Sequence, residues 1–308
     1  MDALDEVLRS LRMGSSLLSR ARYGEPWSVV TKGAPFPILH AVVEGRCLLL
    51  RTGEPPRRLD CGDVVVLPQG AAHVMASREA LDPVPVPTLF SSCDGRVNRI
   101  EHGGPGEPCV IICGTFHLDH EAGGWLLGLL PEVIHMRPSD DVSSDFIDGT
   151  LRLLDAELAR HREGSSAMVE RLTDLLVLQT LRHEAVDGSS VEGWLAAVRD
   201  ERVGKALALM HASPGADWTV DQLASRCGMS RSRFYERFST LVGEPPKRYL
   251  ARWRANAAAD LIRREDLSNA EAAEAVGYGS EQAFTAAFRR HLGVSPAAYR
   301  RQAREVTH

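Results

Sequence analysis

The sequence predicts a two-domain protein: an N-terminal all-β barrel followed by a helix pair, then a C-terminal all-α domain built from two copies of one unit. Three observations predict it. Short β-branched runs fill residues 27–118, the apolar period turns helical after Pro138, and a residue set in the last third recurs at fixed offset. A length of 308 residues suits about two domains, and 44% apolar with 25% charged residues suits packed cores rather than disorder.

The strand signals are Trp27–Thr31, Ile38–Val43, Arg46–Arg51, Val64–Leu67 and Val110–Phe116, separated by Gly and Pro. Gly62-Asp63 suits a tight turn between strands, and Pro68 is expected to end a strand at a sheet edge. Five prolines and four glycines between Pro83 and Pro108 predict a long loop. Farther on, Leu151, Leu154 and Leu158 share one helical face. Leu172, Leu175, Leu176 and Gln179 with Leu181 mark a second helix, and the turn at 162–166 makes the pair antiparallel. Asp187-Gly188-Ser189-Ser190 reads as a flexible hinge. The expected divisions are 1–140 for the barrel, 141–186 for the pair, a candidate dimerisation or linker region, and 195–304 for the helical domain.

No apolar stretch approaches the roughly 18 residues of a membrane span, and the acid-bearing start MDALDEVLRSLR is unlike a signal peptide. Six cysteines without a dense framework suit free thiols in a reducing, cytoplasmic setting. The net charge of −5 hides a division. From Trp194 onward there are 18 Lys+Arg against 13 Asp+Glu, net +5, which leaves −10 for residues 1–193. A basic module beside an acidic one makes the basic one the candidate for phosphate contact.

Phe234, Phe238, Gly243, Pro246 and Tyr249 recur as Phe284, Phe288, Gly293, Pro296 and Tyr299, each offset by 50. Ahead of them Ala224-x-x-x-Gly228 recurs as Ala273-x-x-x-Gly277, offset by 49. Each copy reads as a helix, a tight glycine turn and a second helix with Phe at i and i+4 facing inward. Thr219 and Ser230 are the expected N-caps in the first copy. This is the helix-turn-helix pattern, whose second helix enters the DNA major groove. The segment from about Arg199 to Arg301 resembles the DNA-binding domain of AraC/XylS-family transcription regulators. The likeness is carried by Ala224-x-x-x-Gly228-x-Ser230, Phe234-x-x-x-Phe238-x-x-x-x-Gly243, and Ala273-x-x-x-Gly277-Tyr278 through Gly293-Val294-Ser295-Pro296-Ala297-Ala298-Tyr299. It implies two units joined by a long helix, here Pro246–Arg264, with Leu250, Trp253, Ala257 and Leu261 along one side.

Helical geometry opposes Ser232 and Glu236 to the inward Phe pair of the first unit, flanked by Arg233 and Tyr235. In the second unit Gln282 and Ala286 take that place, flanked by Ala283 and Thr285, with Ser280 at the start and Arg289 one turn on. Gln pairs with adenine, Glu accepts from cytosine, and Ala touches a thymine methyl. Arg231, Arg237, Lys247, Arg248 and Arg290 are candidates for contacts to phosphate, which position rather than specify.

The stretch Gly62-Asp63-Val64-Val65-Val66-Leu67-Pro68 through His73, with His40-x-x-x-Glu44-Gly45 and Cys113-Gly114-Thr115-Phe116, resembles the small barrel of cupins. The whole N-terminal region is similar to the cupin-type sensor domain found ahead of AraC-type DNA-binding domains. The resemblance implies a cavity for a small-molecule effector, with His73 at its mouth. Metal-binding cupins use His-x-His, which is missing here; His40, Glu44 and His73 match parts of that set. Cys113 or His117 is a possible substitute, so His40, His73 and Cys113 are the candidate ligands for zinc or another divalent metal. Cys93 together with Cys109 or Cys113 is a candidate oxidant sensor, the latter two lying four apart on one strand face.

The sequence thus predicts a DNA-binding transcription regulator, an activator governed by a small molecule or oxidant. Promoter DNA, RNA polymerase and a second copy of the chain in a homodimer are the expected partners, and no enzyme activity is expected. Two alternatives stay open: a metal-dependent cupin enzyme with a helical appendage, and a constitutive DNA-binding protein whose barrel is a scaffold.

Overall fold

The computed structural model describes residues 13–90, 97–118, 125, 127–137, 142–160, 163–187, 193–264 and 267–306. By backbone packing the chain forms two units. One takes the barrel strands with the helix pair, and the other takes the chain beyond residue 188 together with the segment around Trp125.

The first unit pairs a six-stranded and a five-stranded sheet. The larger is ordered β11-β6-β3-β10-β1-β9, from Ile134–Met136 (β11), Val64–Leu67 (β6), Ile38–Glu44 (β3), Pro108–Leu118 (β10), Met13–Gly24 (β1) and Val97–Gly103 (β9). The smaller is ordered β5-β4-β7-β2-β8, from Arg57–Asp60, Arg46–Leu50, His73–Ala76, Ser28–Thr31 and Val84–Pro85. Residues alternating along these strands meet between the sheets, where Tyr23, Trp27, Val42, Leu49, Leu59, Val65, Leu67 and Ile111 form one core. Val64–Leu67 is buried at every position, as an uninterrupted apolar strand covered on both faces must be. Its outer cover is the pair Val142–Arg160 (α1) and Ser165–Asp187 (α2), packed antiparallel and against β1, β3, β6 and β11.

Two expectations change here, and one strand lies outside them. The stretch expected as a long loop contains β9, which pairs in parallel with β1, from Leu18↔Val97 to Gly24↔Gly103. Its polar sequence suits an edge strand, where of its residues Ile100 reaches the core. The 12-residue β1 itself gave no clear signal, because Gly14, Ser15, Ser16 and Ser19 interrupt its apolar positions. Pro68 does end β6, but not at an edge: β11 pairs along its open side, Ile134 with Val66. The second expected helix is present, burying Leu172, Leu176 and Leu181 while Leu175 is 40% exposed. The expected hinge at 187–190 lies, after Asp187, outside the described residues.

The second unit carries Trp194–Arg199 (α3), Glu201–Ala212 (α4), Val220–Arg226 (α5), Arg231–Val242 (α6), Pro246–Arg264 (α7), Asn269–Ala275 (α8), Glu281–Leu292 (α9) and Pro296–Val306 (α10). Helices α5–α6 and α8–α9 are the two helix-turn-helix copies. Capping boxes open α5 (Thr219 with Gln222) and α8 (Ser268 with Glu271), each worth about 1 kcal/mol. Ser230 stands at the N-cap of α6 without a side-chain bond, whereas Ser280 caps α9 through Ala283 N at 3.2 Å. Helix α7 is buried more widely than one stripe. Leu250 and Trp253 are covered, but Ala257 and Leu261 are half-buried while Ala255, Ala258, Ala259 and Ile262 lie deeper. A helix gripped from both sides by two units cannot keep a single apolar face.

Candidate functional site

The repeat is a repeat in space. In the first copy the rings of Phe234 and Phe238 lie 5.6 Å apart, and Phe238 meets Tyr249 edge-on at 5.7 Å. In the second, Phe284 and Phe288 are 5.5 Å apart and Phe288 meets Tyr299 edge-on at 5.7 Å. The turns match too. Met229 N donates to the Ala224 carbonyl at 2.9 Å and Tyr278 N to the Ala273 carbonyl at 2.8 Å, around Gly228 and Gly277 with positive φ.

Burying those Phe pairs turns the opposite faces outward. Arg231, Ser232, Arg233, Tyr235 and Glu236 are all exposed, Tyr235 at 47%, an unusual surface for so large an aromatic ring. On α9, Gln282, Thr285, Ala286, Arg289 and Arg290 line one open depression with Glu281; Ala283 and Ser280 are exposed beside it. The candidate phosphate contacts divide. Arg231 pairs with Asp221 at 2.9 Å, Arg248 with Glu244 at 3.3 Å, and Arg237 is clasped by Asp200, the N-cap of α4. Lys247 is exposed at the first turn of α7.

Inside the barrel, pairing places Cys113 on β10 directly opposite His40 on β3. His73, at the start of β7, meets them from the other sheet. His40 Nδ1 lies 3.0 Å from Cys113 Sγ, His40 Nε2 lies 2.8 Å from His73 Nε2, and His73 Nδ1 lies 2.8 Å from the Ala71 carbonyl. Burial lowers the basicity of both imidazoles, strongly for His40, and pushes the Cys113 thiol up to about 12. All three are therefore neutral near pH 7, and the direction of the chain follows. The carbonyl only accepts, so His73 donates from Nδ1 and accepts at Nε2. His40 then donates from Nε2 and accepts at Nδ1, leaving Cys113 to donate its S–H.

This is a chain, not a cage. Cys113 and His73 address opposite nitrogens of the His40 ring, so the three expected metal ligands do not converge on one point. Among the described residues no group of three His, Cys, Asp or Glu side chains could hold a metal ion. Glu44 stands away from the chain, half-exposed beside Arg22 at 3.9 Å. The described residues do not fit the metal.

A cavity of about 360 Å³ opens beside the chain, lined by His40 and Cys113 but mostly by apolar groups, among them Tyr23, Val29, Ile38, Met75, Phe90 and Ile111. Ser19, Thr31 and Thr115 add hydroxyls, and among the described residues that line it Lys32 is the one with a charged side chain and none is a carboxylate. His73 is buried behind His40 rather than at the mouth. Cys109 faces the same core as Cys113, as expected for positions four apart, but its thiol partner is Cys47. That hydrogen bond, then burial, holds the Cys47 thiol well above its ordinary range. Cys93 and the His117 side chain lie outside the described residues. Sequence reasoning missed Ser19, Tyr23 and Thr31. It also missed the buried pair of His135 Nε2 and Asp63 Oδ2 at 3.0 Å, which ties β11 to the turn before β6.

Residues 2–185 match a family model described as cupin, and residues 223–302 match one described as a helix-turn-helix domain. A Streptomyces antibioticus protein described as an AraC-like transcription regulator is 33% identical over 303 residues, spanning 98% of this chain and 99% of its own. The chain belongs to the AraC family of transcription regulators. The HTH-type transcriptional regulator AlkR of Acinetobacter baylyi is 28% identical over 98% of this chain and 100% of its own length. The RCS-specific activator RclR of Escherichia coli is 28% identical over 99% of both. Among solved structures, the DNA-binding domain of AdpA in complex with a target DNA is 36% identical. It covers 34% of this chain and 95% of that one, with a TM-score of 0.33. This AraC-family regulator binds DNA through its helix-turn-helix domain and carries a cupin domain ahead of it. Among the described residues no helix is long and apolar enough to cross a membrane.

Proposed function

We propose that this regulator is an effector-controlled activator: a small molecule in the barrel cavity, or oxidation of its thiols, changes how the two units engage promoter DNA. The cavity carries the reading. At about 360 Å³, with mainly apolar walls and a few polar groups, it has the size and make-up of a small-molecule site. A constitutive scaffold has no need of it, since filling such space with side chains stabilises a core. Among the described residues no donor set converges, which speaks against the metal-dependent enzyme, so we assign binding rather than turnover to the barrel.

The helix pair supports assembly as a dimer. Phe146 and Leu153 on α1, and Met168 and Leu175 on α2, are seven residues apart along their helices and 40–57% exposed. Seven residues return to the same helical face, and unpaired apolar stripes on the surface mark interfaces. A dimer brings four helix-turn-helix units to promoter DNA, where RNA polymerase is the partner and the cytoplasm the compartment.

The test is transcription in vitro from a promoter fragment selected from random DNA by the purified protein. Val29→Trp, which adds bulk from the core-facing side of β2 where Val29 lines the cavity, should keep DNA affinity and lose the response to small molecules. If wild type and variant drive transcription equally, with and without effector or oxidant, the barrel is a scaffold. In the oxidant arm, Cys93→Ser should abolish the response; an unchanged response excludes that thiol.

A further inference from the structure

The geometry points to Cys113 as a covalent modification site, whose thiol adds to small uncharged α,β-unsaturated carbonyl compounds held in the barrel cavity. The inference rests on reading that cavity as the effector site and names the chemistry of its ligand.

Three observations converge. First, a nucleophile, a base and a group orienting the base stand in series. Cys113 Sγ lies 3.0 Å from His40 Nδ1, His40 Nε2 lies 2.8 Å from His73 Nε2, and the Ala71 carbonyl anchors His73. That arrangement is the signature of an activated nucleophile. Second, Cys113 and His40 both line the cavity, so a bound molecule touches the pair directly. Third, the described walls are mainly apolar and include no carboxylate, with Lys32 exposed, so among them an ion inside finds no buried partner of opposite charge. An uncharged, largely hydrocarbon molecule pays no such desolvation cost.

The step balances without an outside reagent. Sγ bonds to the β-carbon, the double-bond pair shifts toward the carbonyl oxygen, and the S–H proton passes to His40 Nδ1. His40 then returns that proton to the α-carbon. The product is a thioether with the thiol added across the double bond, and nothing leaves. The resting pair is neutral, so the thiol lacks the standing negative charge that reagents in solution attack. Reactivity is confined to molecules that bind first. His73 acts through His40 and is a positioning residue.

The experiment treats the full-length protein with trans-cinnamaldehyde and maps adducts by mass spectrometry after reduction with borohydride. Cys61, the exposed thiol among the described cysteines, is the internal control. The adduct should form on Cys113 at least tenfold faster than on Cys61, with a rate that saturates in cinnamaldehyde. Iodoacetate, which is charged, should label Cys61 first. His40→Gln should slow the Cys113 adduct about a hundredfold, the scale of a lost general base, and leave Cys61 labelling unchanged. His73→Gln should slow it less and shift the pH profile of the rate. Should either variant fail to fold, saturation and protection by phenylpropanol, the unreactive saturated alcohol, still decide the matter in wild type. If phenylpropanol binds and Cys113 stays unmodified by cinnamaldehyde, the cavity stands and this inference is overturned. If neither compound binds, the effector reading itself falls.

Discussion

The two helix-turn-helix copies share a skeleton and almost nothing else. Both bury two Phe rings and a Tyr in the same arrangement, and both end their second helices on a left-handed glycine, Gly243 and Gly293. Around the first, extra polar ties gather. Trp194 Nε1 donates to the Tyr249 hydroxyl at 3.0 Å, that hydroxyl lies 2.8 Å from His211 Nε2, and the His211 ring stacks on Trp253 at 3.8 Å. Trp125, brought in from the segment between β10 and β11, leans on Tyr249 at 5.2 Å, with the Arg252 guanidinium over its ring. The second copy packs through aliphatic neighbours, chiefly Ala258, Ala259, Ile262 and Val276. The outward faces differ as much, basic and aromatic on α6 and small side chains around Gln282 on α9. The inward residues are held by packing and turn geometry, while the exposed ones are free to diverge toward different base pairs.

If the shared skeleton carries stability, the largest effects come from cutting it. Phe238→Ala and Phe288→Ala should each cost about 3–5 kcal/mol, and to a similar degree, measured by denaturant unfolding of the full chain. A large inequality would mean one copy is the folding core and the other an appendage. The turn glycines should separate the copies instead. Gly228 has open space about it, so Gly228→Ala should cost only the left-handed strain of about 1–2 kcal/mol. A Cβ at Gly277 would stand 2.4 Å from the Gly215 carbonyl oxygen, so Gly277→Ala should cost clearly more in the same assay. Equal costs would show that the second copy relaxes freely.

Smaller effects test the reading faces. Gln282→Ala should lose about 1–3 kcal/mol of affinity at one base position and relax preference there. Lys247→Ala should weaken all sequences alike and lower the salt slope by about one. Binding titrations on a panel of single-base variants distinguish the two. Uniform loss in both mutants would mean that α9 does not face the groove.

The C-terminal domain was legible because its determinants are local: Phe at i and i+4, a glycine four residues after an alanine, and capping residues three apart all act within one or two turns. The barrel was legible only in part. β9 is polar because it lies at an edge, and β1 is disguised by serines and glycine, so neither shows the alternation that marks a half-buried strand. His40, His73 and Cys113 could be singled out by residue type. Whether they form a metal cage or a hydrogen-bonded chain depends on which ring nitrogen meets which partner, and strand register across two sheets decides that. The cavity is likewise a product of register: Ser19, Thr31 and Thr115 meet in it from three separated strands.

The most direct test of a paired reader is a hydroxyl-radical footprint of the full-length protein on its selected promoter fragment. For each bound chain, its two copies should protect two segments on the same face of the duplex, about 34 Å or one helical turn apart. Gln282→Ala should weaken only the segment under α9. Protection of a single segment, unaffected by that substitution, would contradict the account.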